Sequence, residues 1–276
     1  MTLPGHLSLC RAAPQDLRDQ WADDHHIEPA RLTWTTPGAV WAADFTQVPL
    51  PIDGLFDQVL VVRDLASQTI LLAAPCLAPS ADAAVFHLRH LFAQHAAPLV
   101  LKTDNGSPFI AQRTRELCSA HAVVNLLSPP LTPQYNGSVE ATAGALKTRA
   151  ALLAQLNSCD TWTSDILEAA RLAANALNRP WGPAAPTPAE RWAGRASIRP
   201  EQRASLAALV AQKQSDITLS IQRERQQKGL VTQLSAACVA TVARTAIRQA
   251  LVELGLLQIR RPTITSTKSK LDLSKN

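Results

Sequence analysis

The alternation of hydrophobic and polar residues predicts three strands followed by a helix early in the chain. Runs rich in β-branched and aromatic residues, typical of strands, occupy residues 40–50, 56–64 and 68–75. In residues 80–96 the hydrophobic side chains recur instead at the spacing of one helix face. The periodic part of the chain therefore begins with a series of strands and then changes to helix.

The pattern continues with two more strands and three more helices. Residues 98–104 form a short, nearly continuous hydrophobic run, which is typical of a strand buried on both faces. A helix is predicted over 109–122 and a fifth strand over 123–128, followed by long helices from about 138 to 156 and over 164–178. Three strands followed by alternating helices and strands predict an α/β fold with a mixed five-stranded sheet and helices on both faces.

The composition changes after residue 180, where proline becomes frequent. We predict an N-terminal helical and extended segment over residues 1–37 and a core domain over 38–180. A Pro-rich linker over 181–200 and a small, mainly helical C-terminal module with a basic tail over 201–276 complete the predicted organisation.

Composition excludes several classes of protein. With 46% hydrophobic residues in 276, the chain is a folded protein and not a disordered one. No hydrophobic run approaches the roughly 20 residues that cross a bilayer, and the N-terminus has no pattern of a signal peptide. The five cysteines form no C-x-x-C pair, which indicates reduced thiols in a cytosol and excludes a zinc site at His25 and His26.

The charge permits a polyanionic partner without proving one. The net charge is +5, and residues 244–270 contain six lysines and arginines against the single acid Glu253. The basic surplus is therefore concentrated near the C-terminus.

Three carboxylates stand where the predicted elements can bring them together. Asp44 lies inside the first strand, Asp104 follows the fourth strand, and Glu140 lies in the first turn of the long helix. Clustered carboxylates repel one another unless cations neutralise them, and oxygen-only ligands suit Mg²⁺ or Mn²⁺. Two such ions can hold the attacking and leaving oxygens of a phosphoryl displacement.

Each acid also has a structural interpretation. Asp44 could be a solvent-facing acid on an edge strand, Asp104 the residue that opens the Asn-Gly turn, and Glu140 a partner of the helix dipole. By contrast, we interpret Asp64 as structural, because "DLAS" is typical of a turn capped by its own side chain.

Five segments in this order resemble the integrase catalytic core that retroviral integrases share with many bacterial insertion-sequence transposases. They are "WAADFT", "VVRDLASQ", "LKTDNGSPF", "TPQYNGSVE" and "LNRPWG…PTPAERW", within roughly residues 38 to 195. The resemblance implies a ribonuclease H-like fold in which Asp44, Asp104 and Glu140 form the catalytic triad and bind two Mg²⁺ or Mn²⁺ ions. The implied chemistry is cleavage at a DNA 3′ end followed by strand transfer into target DNA.

The same resemblance implies residues that contact DNA. Lys147 projects from nearly the same helix face as Glu140, and in the family a basic residue there contacts DNA near the scissile phosphate. Gln134, Tyr135 and Asn136 lie in a loop predicted at the mouth of the site.

Near the C-terminus, Arg244 and Arg248 lie opposite a hydrophobic stripe in the segment 242–262. This segment resembles the recognition helix and wing of a winged helix-turn-helix, which would bind DNA. The alternative is an amphipathic helix used in self-association.

The sequence therefore predicts a DDE-type transposase or integrase, active as a homo-oligomer on element ends and target DNA in the cytoplasm of a bacterium, associated with the nucleoid. Two alternatives remain. One is a non-catalytic DNA-binding relative that keeps the fold, and the other is a ribonuclease H-like metal nuclease without strand transfer.

Overall fold

The computed structural model describes residues 31–129 and 137–260. The chain divides into two compact units, of which the larger comprises residues 34–257. The smaller unit comprises residues 1–33 and 258–276. In its described part, strand β1 (Arg31–Trp34) pairs with the last strand, β7 (Leu257–Arg260).

A mixed five-stranded sheet forms the centre of the larger unit. Its strands are β2 (Val40–Ile52), β3 (Phe56–Asp64), β4 (Ile70–Cys76), β5 (Val100–Thr103) and β6 (Val124–Leu127). They lie in the order β4-β3-β2-β5-β6. The first three strands are antiparallel neighbours, whereas β5 runs parallel to β2, and β6 parallel to β5. The predicted mixed sheet is confirmed.

The described helices follow the predicted order. They are α1 (Ala81–His95), α2 (Ser107–Ile110), α3 (Gln112–Ala120), α4 (Gly137–Leu156), α5 (Ser164–Leu177), α6 (Pro188–Ala193), α7 (Pro200–Gln227) and α8 (Ala236–Glu253). One helix predicted over 109–122 is in fact two, because Ala111 between α2 and α3 has an extended backbone with φ −59° and ψ 146°.

Alternation along β2 sends its side chains to two different helical layers. Trp41 and Ala43 belong to the hydrophobic core that contains Leu88 and Phe92 of α1. On the opposite face, the Nζ of Lys147 in α4 donates a hydrogen bond to Thr46 Oγ1 at 3.1 Å. Helices therefore cover both faces of the sheet, as predicted.

The structural interpretation of Asp64 is confirmed. Its side chain is fully buried and accepts hydrogen bonds from the backbone N–H of Gly38 at 2.8 Å and of Ser67 at 2.6 Å. The Ser67 hydroxyl donates a third bond at 2.7 Å. Asp64 thus closes the turn between β3 and β4 and ties it to the chain that enters β2.

The Pro-rich segment predicted as a linker is packed against the core. Helix α6 begins with a capping box formed by Thr187 and Glu190. One turn later, Trp192 packs with ring-centre distances of 6.2 Å to Trp41 and 5.6 Å to His95. The "TPAE" capping signal and the following tryptophan outweigh the high proline content.

In the C-terminal region, α7 and α8 form an antiparallel pair. The hydrophobic stripe of α8 is buried there at Ile247 and Leu251, so the stripe is used inside the chain. Arg203 near the start of α7 donates hydrogen bonds to the backbone carbonyl of Pro98, at 2.7 Å, and to that of Ala97. The strand predicted after α8 exists as β7, but it pairs with β1. The predicted division of the chain into core, linker and C-terminal module stays a prediction.

Candidate active site

Asp44 lies on β2, and Asp104 comes directly after β5, the parallel neighbour of β2 in the sheet. Ala42 on β2 pairs with Lys102 on β5, and each aspartate comes two residues further along its own strand direction. Residues two apart on a strand point to the same face. The sheet register therefore directs both carboxylates towards the face that α4 covers.

The charge of Asp44 responds to both of the other predicted acids. Burial and the negative charges of Asp104 and Glu140 together raise the pKa of Asp44 to about 6, against the opposite effects of the Phe45 backbone N–H and the cation of Lys102. Acids on β2, directly after β5 and in α4 thus share one electrostatic environment, although they are remote in the sequence.

These acids are neighbours but do not form a ready metal cage. In the two described ranges, no three His, Cys, Asp or Glu side chains are grouped closely enough to hold a metal ion. Glu140 is exposed, whereas Asp44 and Asp104 are half-buried. The donor types fit Mg²⁺ or Mn²⁺, because all three are carboxylates.

The Asn-Gly turn holds the Asp104 carboxylate in place. Its Oδ1 accepts a hydrogen bond from the Gly106 backbone N–H at 2.9 Å, and a Cβ added at residue 106 would lie 2.9 Å from the same oxygen. Glycine is therefore required for this close approach. Asn105 fixes the turn by donating from Nδ2 to the Ser128 carbonyl at 2.6 Å. The Asn-Gly turn therefore determines the position of the Asp104 carboxylate.

Lys102 is a residue of the site that the sequence interpretation missed. Its side chain is 4% exposed and lies on the same sheet face as Asp44. Burial lowers the pKa of Lys102 to about 8, while the negative charges of Glu140 and Asp44 act in the opposite direction. A lysine inside the hydrophobic run "LVLK" was the available signal, since a buried cation requires nearby negative charge.

Helix α4 carries Glu140 and is fixed to the sheet by two cationic side chains. Arg63 of β3 donates to the Ser138 carbonyl at 2.9 Å, in the first turn of the helix. Further along, Lys147 donates to Thr46 Oγ1 and to the Gln47 carbonyl at 3.1 and 3.2 Å. The Thr46 hydroxyl is thus a hydrogen-bond partner of Lys147.

The structure describes only some of the other residues that are predicted to contact DNA. Gln134, Tyr135 and Asn136 lie outside the described residues, as do His25 and His26. In α8, Arg248 is exposed, whereas Arg244 is half-buried and donates to Thr241 Oγ1 at 2.9 Å. DNA binding by these residues stays a prediction.

We expect Asp44→Asn to stabilise the protein at neutral pH in the presence of EDTA. The folded pKa of about 6 lies above the ordinary 3.8, so the folded protein holds this proton between pH 4 and 6 while the unfolded chain releases it. The stability that Asp44 contributes is therefore present below pH 4 and lost as pH rises through 6. Solvent screening of this half-buried group limits the gain to about 1 kcal/mol, or about two to four degrees.

The measurement is thermal unfolding of both proteins at pH 4 and at pH 7.5. Asp57→Asn removes the same charge from an exposed position on β3 and serves as the control. A melting temperature of Asp44→Asn below that of the unaltered protein at pH 7.5 would contradict the expectation.

No helix in the described part of the chain is long and hydrophobic enough to span a membrane.

The integrase core domain family matches residues 35–133, a range that contains Asp44 and Asp104 and ends before Glu140. The Gag-Pol polyprotein of avian reticuloendotheliosis virus is 29% identical over 136 residues, which are 49% of this chain and 12% of that protein. The Pol-related polyprotein of the mouse intracisternal A-particle MIA14 is 31% identical over 112 residues, 41% of this chain and 13% of that protein. The matched regions thus span about an eighth of these relatives.

Among solved structures, an integrase assembly has the same fold. A chain of the simian T-cell lymphotropic virus intasome, solved in complex with the PP2A regulatory subunit B56 gamma, aligns with a TM-score of 0.55 and 21% identity, covering 63% of each chain. The mixed sheet with flanking helices is accordingly the ribonuclease H-like fold of integrase catalytic cores. Residues 35–133 of this chain are thus similar to the integrase core domain, and the relatives that match are retroviral Pol proteins.

Proposed function

We propose that this protein is a DNA transposase or integrase, a polynucleotidyl transferase that cleaves DNA 3′ ends and joins them to target DNA. The observation that carries the proposal is the parallel pairing of β2 with β5, which places Asp44 beside the chain that leads to Asp104, so that the charges of both Asp104 and Glu140 act on Asp44. It indicates that three acids from separate elements act on one another within or next to the integrase core domain. Such an arrangement destabilises a fold unless the acids serve a charged ligand.

Asp44, Asp104 and Glu140 would hold two Mg²⁺ or Mn²⁺ ions in this function. When bound, such ions neutralise the phosphate and stabilise the attacking and leaving oxygens. Carboxylates alone would repel DNA, so the same three residues make DNA binding at the site depend on cations.

The remaining residues position the acids and the DNA. Gly106 donates to Asp104 and keeps its carboxylate in one orientation. The buried Lys102 offsets part of the negative charge of Asp44 and Glu140, which lets the acids approach one another. Lys147, on the same helix face as Glu140, is a proposed contact to the DNA backbone, and it also holds α4 to β2.

The proposed partners are element ends and target DNA. Joining two ends to one target requires at least two active sites, so a homo-oligomer follows from the reaction itself. Gln134, Tyr135, Asn136, Arg244 and Arg248 are the proposed further contacts to DNA. The cytoplasmic, nucleoid-associated location stays a prediction.

The non-catalytic DNA-binding relative is the second candidate. It is favoured by one observation, that the described acids are not grouped closely enough to hold an ion. In that protein the acids would remain apart even when Mg²⁺ is supplied.

A strand-transfer assay separates these functions. Duplexes with randomised ends and free 3′-hydroxyl groups are incubated with the protein and a supercoiled plasmid, in Mg²⁺, Mn²⁺ or EDTA, and the plasmid junctions are sequenced. Junctions that require a divalent ion support the proposal. Cleavage without joining would indicate a metal nuclease, and salt-sensitive binding without either product would indicate the non-catalytic relative.

A further inference from the structure

We propose that Arg63 is a positioning residue for Glu140. Through its guanidinium group, β3 fixes the first turn of α4 and so determines where Glu140 stands relative to Asp44. The inference rests on the proposed function, because it assigns Arg63 a role in assembling that site.

The guanidinium of Arg63 binds two residues that flank Glu140 in the sequence. Its Nη1 donates to the Ser138 carbonyl at 2.9 Å and to the Thr142 hydroxyl. These two residues lie two positions before and two positions after Glu140. The Thr142 hydroxyl also donates to the Ser138 carbonyl at 2.8 Å, so the three groups form a closed set of hydrogen bonds.

A further contact fixes the orientation of the arginine itself. Its Nη2 donates to Gln68 Oε1 at 2.8 Å, in the turn that follows β3. The planar guanidinium is therefore bound at both of its terminal nitrogens, which leaves it little freedom to rotate. A side chain fixed in this way holds the helix at one position relative to the sheet.

The sheet register connects this anchor to Asp44. Arg63 pairs with Ala42 on β2, and Asp44 pairs with Val61 on β3. Directly paired residues in an antiparallel ladder point to the same face, as do residues two apart on one strand. Arg63 and Asp44 therefore lie on the same face of adjacent strands. Arg63 thus fixes the first turn of α4 relative to β2, the strand that carries Asp44.

The placement of Arg63 is costly for the fold, which supports a functional role. Burial lowers its pKa to about 10, while the neighbouring charge of Asp64 raises it, and the group remains a cation at neutral pH. Its Nε is buried and has no hydrogen-bond partner in the described part of the chain. Val61 and Val59 occupy the corresponding positions earlier in β3, so a hydrophobic residue suits this sheet face.

Arg149, which lies on α4 itself, provides a matched comparison for Arg63. It lines the same cavity of about 270 Å³ as Arg63, between α4, α5 and the ends of β3 and β4. Its Nη2 donates to Asn178 Oδ1 at 2.8 Å, so it links α4 to the chain that follows α5 and not to the sheet beside Glu140. Removing it changes the cavity and the charge but leaves the first turn of α4 anchored.

The experiment measures Mn²⁺ affinity by calorimetry for the full chain and for Arg63→Gln, Arg63→Lys and Arg149→Gln, with melting temperatures and joining kinetics alongside. We expect Arg63→Gln to raise the Mn²⁺ dissociation constant about tenfold, in the range found for residues that orient metal ligands. The kcat for joining falls while KM for DNA stays unchanged. Arg63→Lys recovers part of the affinity, and Arg149→Gln stays within about twofold of the unaltered protein.

Several results would overturn the inference. Unchanged Mn²⁺ affinity in folded Arg63→Gln, or an equal loss in Arg149→Gln, contradicts a specific role for Arg63. If Arg63→Gln does not fold, Thr142→Val removes one acceptor of Arg63 together with the Thr142 hydrogen bond to the Ser138 carbonyl, and it must still weaken Mn²⁺ binding, by about twofold or more. Failure of the proposed function gives a different result. In that case Asp44→Asn would abolish no Mn²⁺ binding of the unaltered protein, and the identity of residue 63 would make no difference.

Discussion

Asp104→Asn is expected to lower the rate of strand transfer at least about a thousandfold, the scale of loss when a group essential to the chemistry is removed. Asparagine has nearly the same volume, and its carbonyl oxygen can still accept the hydrogen bond that the Gly106 N–H donates to Asp104. The turn and the fold are therefore kept. What is lost is one negative charge and one oxygen ligand, which the three carboxylates need in order to hold divalent cations.

The measurement is the single-turnover rate of joining a 3′-hydroxyl end to plasmid DNA in Mg²⁺, together with DNA binding in EDTA. Asp57→Asn is the matched control, because it removes one carboxylate charge from an exposed position on β3. The control should join DNA at the rate of the unaltered protein. Equal rates for Asp104→Asn and Asp57→Asn would remove Asp104 from the mechanism.

The sheet and its neighbours could be predicted because local pattern and chain topology point to the same answer. β-Branched runs gave three strands, and a short run buried on both faces gave β5. These runs predict the mixed sheet, and within it β2 pairs with β5 in parallel, with Ala42 opposite Lys102. Asp64 was separable from Asp104 for a similar local reason, since its capping residues follow within the same turn.

The features that escaped prediction depend on residues far away in the sequence. The partners of Arg63 at Ser138 and Thr142 are more than seventy residues away, and no local pattern of β3 indicates them. Lys102 likewise becomes part of the site only through Asp44 and Glu140, which belong to other elements. The packing of α6 was missed for a different reason: proline content was given more weight than the capping signal and Trp192.

The sequence also could not predict how closely the three acids approach one another. Topology fixes which strands and helices carry Asp44, Asp104 and Glu140, but a metal site depends on differences of a few tenths of an ångström in ligand distance. At Asp44, repulsion from the other two carboxylates and attraction by Lys102 oppose each other. Side-chain anchors such as Arg63 are therefore as important for the site as the order of the strands.

The largest expected loss of stability comes from Asp64→Ala, which leaves unpaired the N–H groups of Gly38 and Ser67 and the Ser67 hydroxyl. Each buried donor without a partner costs about 1–3 kcal/mol, and the sum reaches roughly 3–5 kcal/mol after relaxation. The damage extends further, because Ser67 Oγ lies 3.0 Å from Thr69 Oγ1, and Thr69 donates to the Pro188 carbonyl at 2.7 Å.

Through these bonds Asp64 holds together the entry to β2, the turn before β4 and the start of α6. We therefore expect the melting temperature to fall by roughly ten degrees or more. The measurement is thermal and urea unfolding at pH 7.5 beside Asp57→Ala, whose exposed carboxylate should be removable with a change of at most about 0.5 kcal/mol. A melting temperature of Asp64→Ala within about two degrees of that control would mean that β2 and α6 are held by other contacts. In that event the position of Asp44 on β2 would not depend on this buried carboxylate.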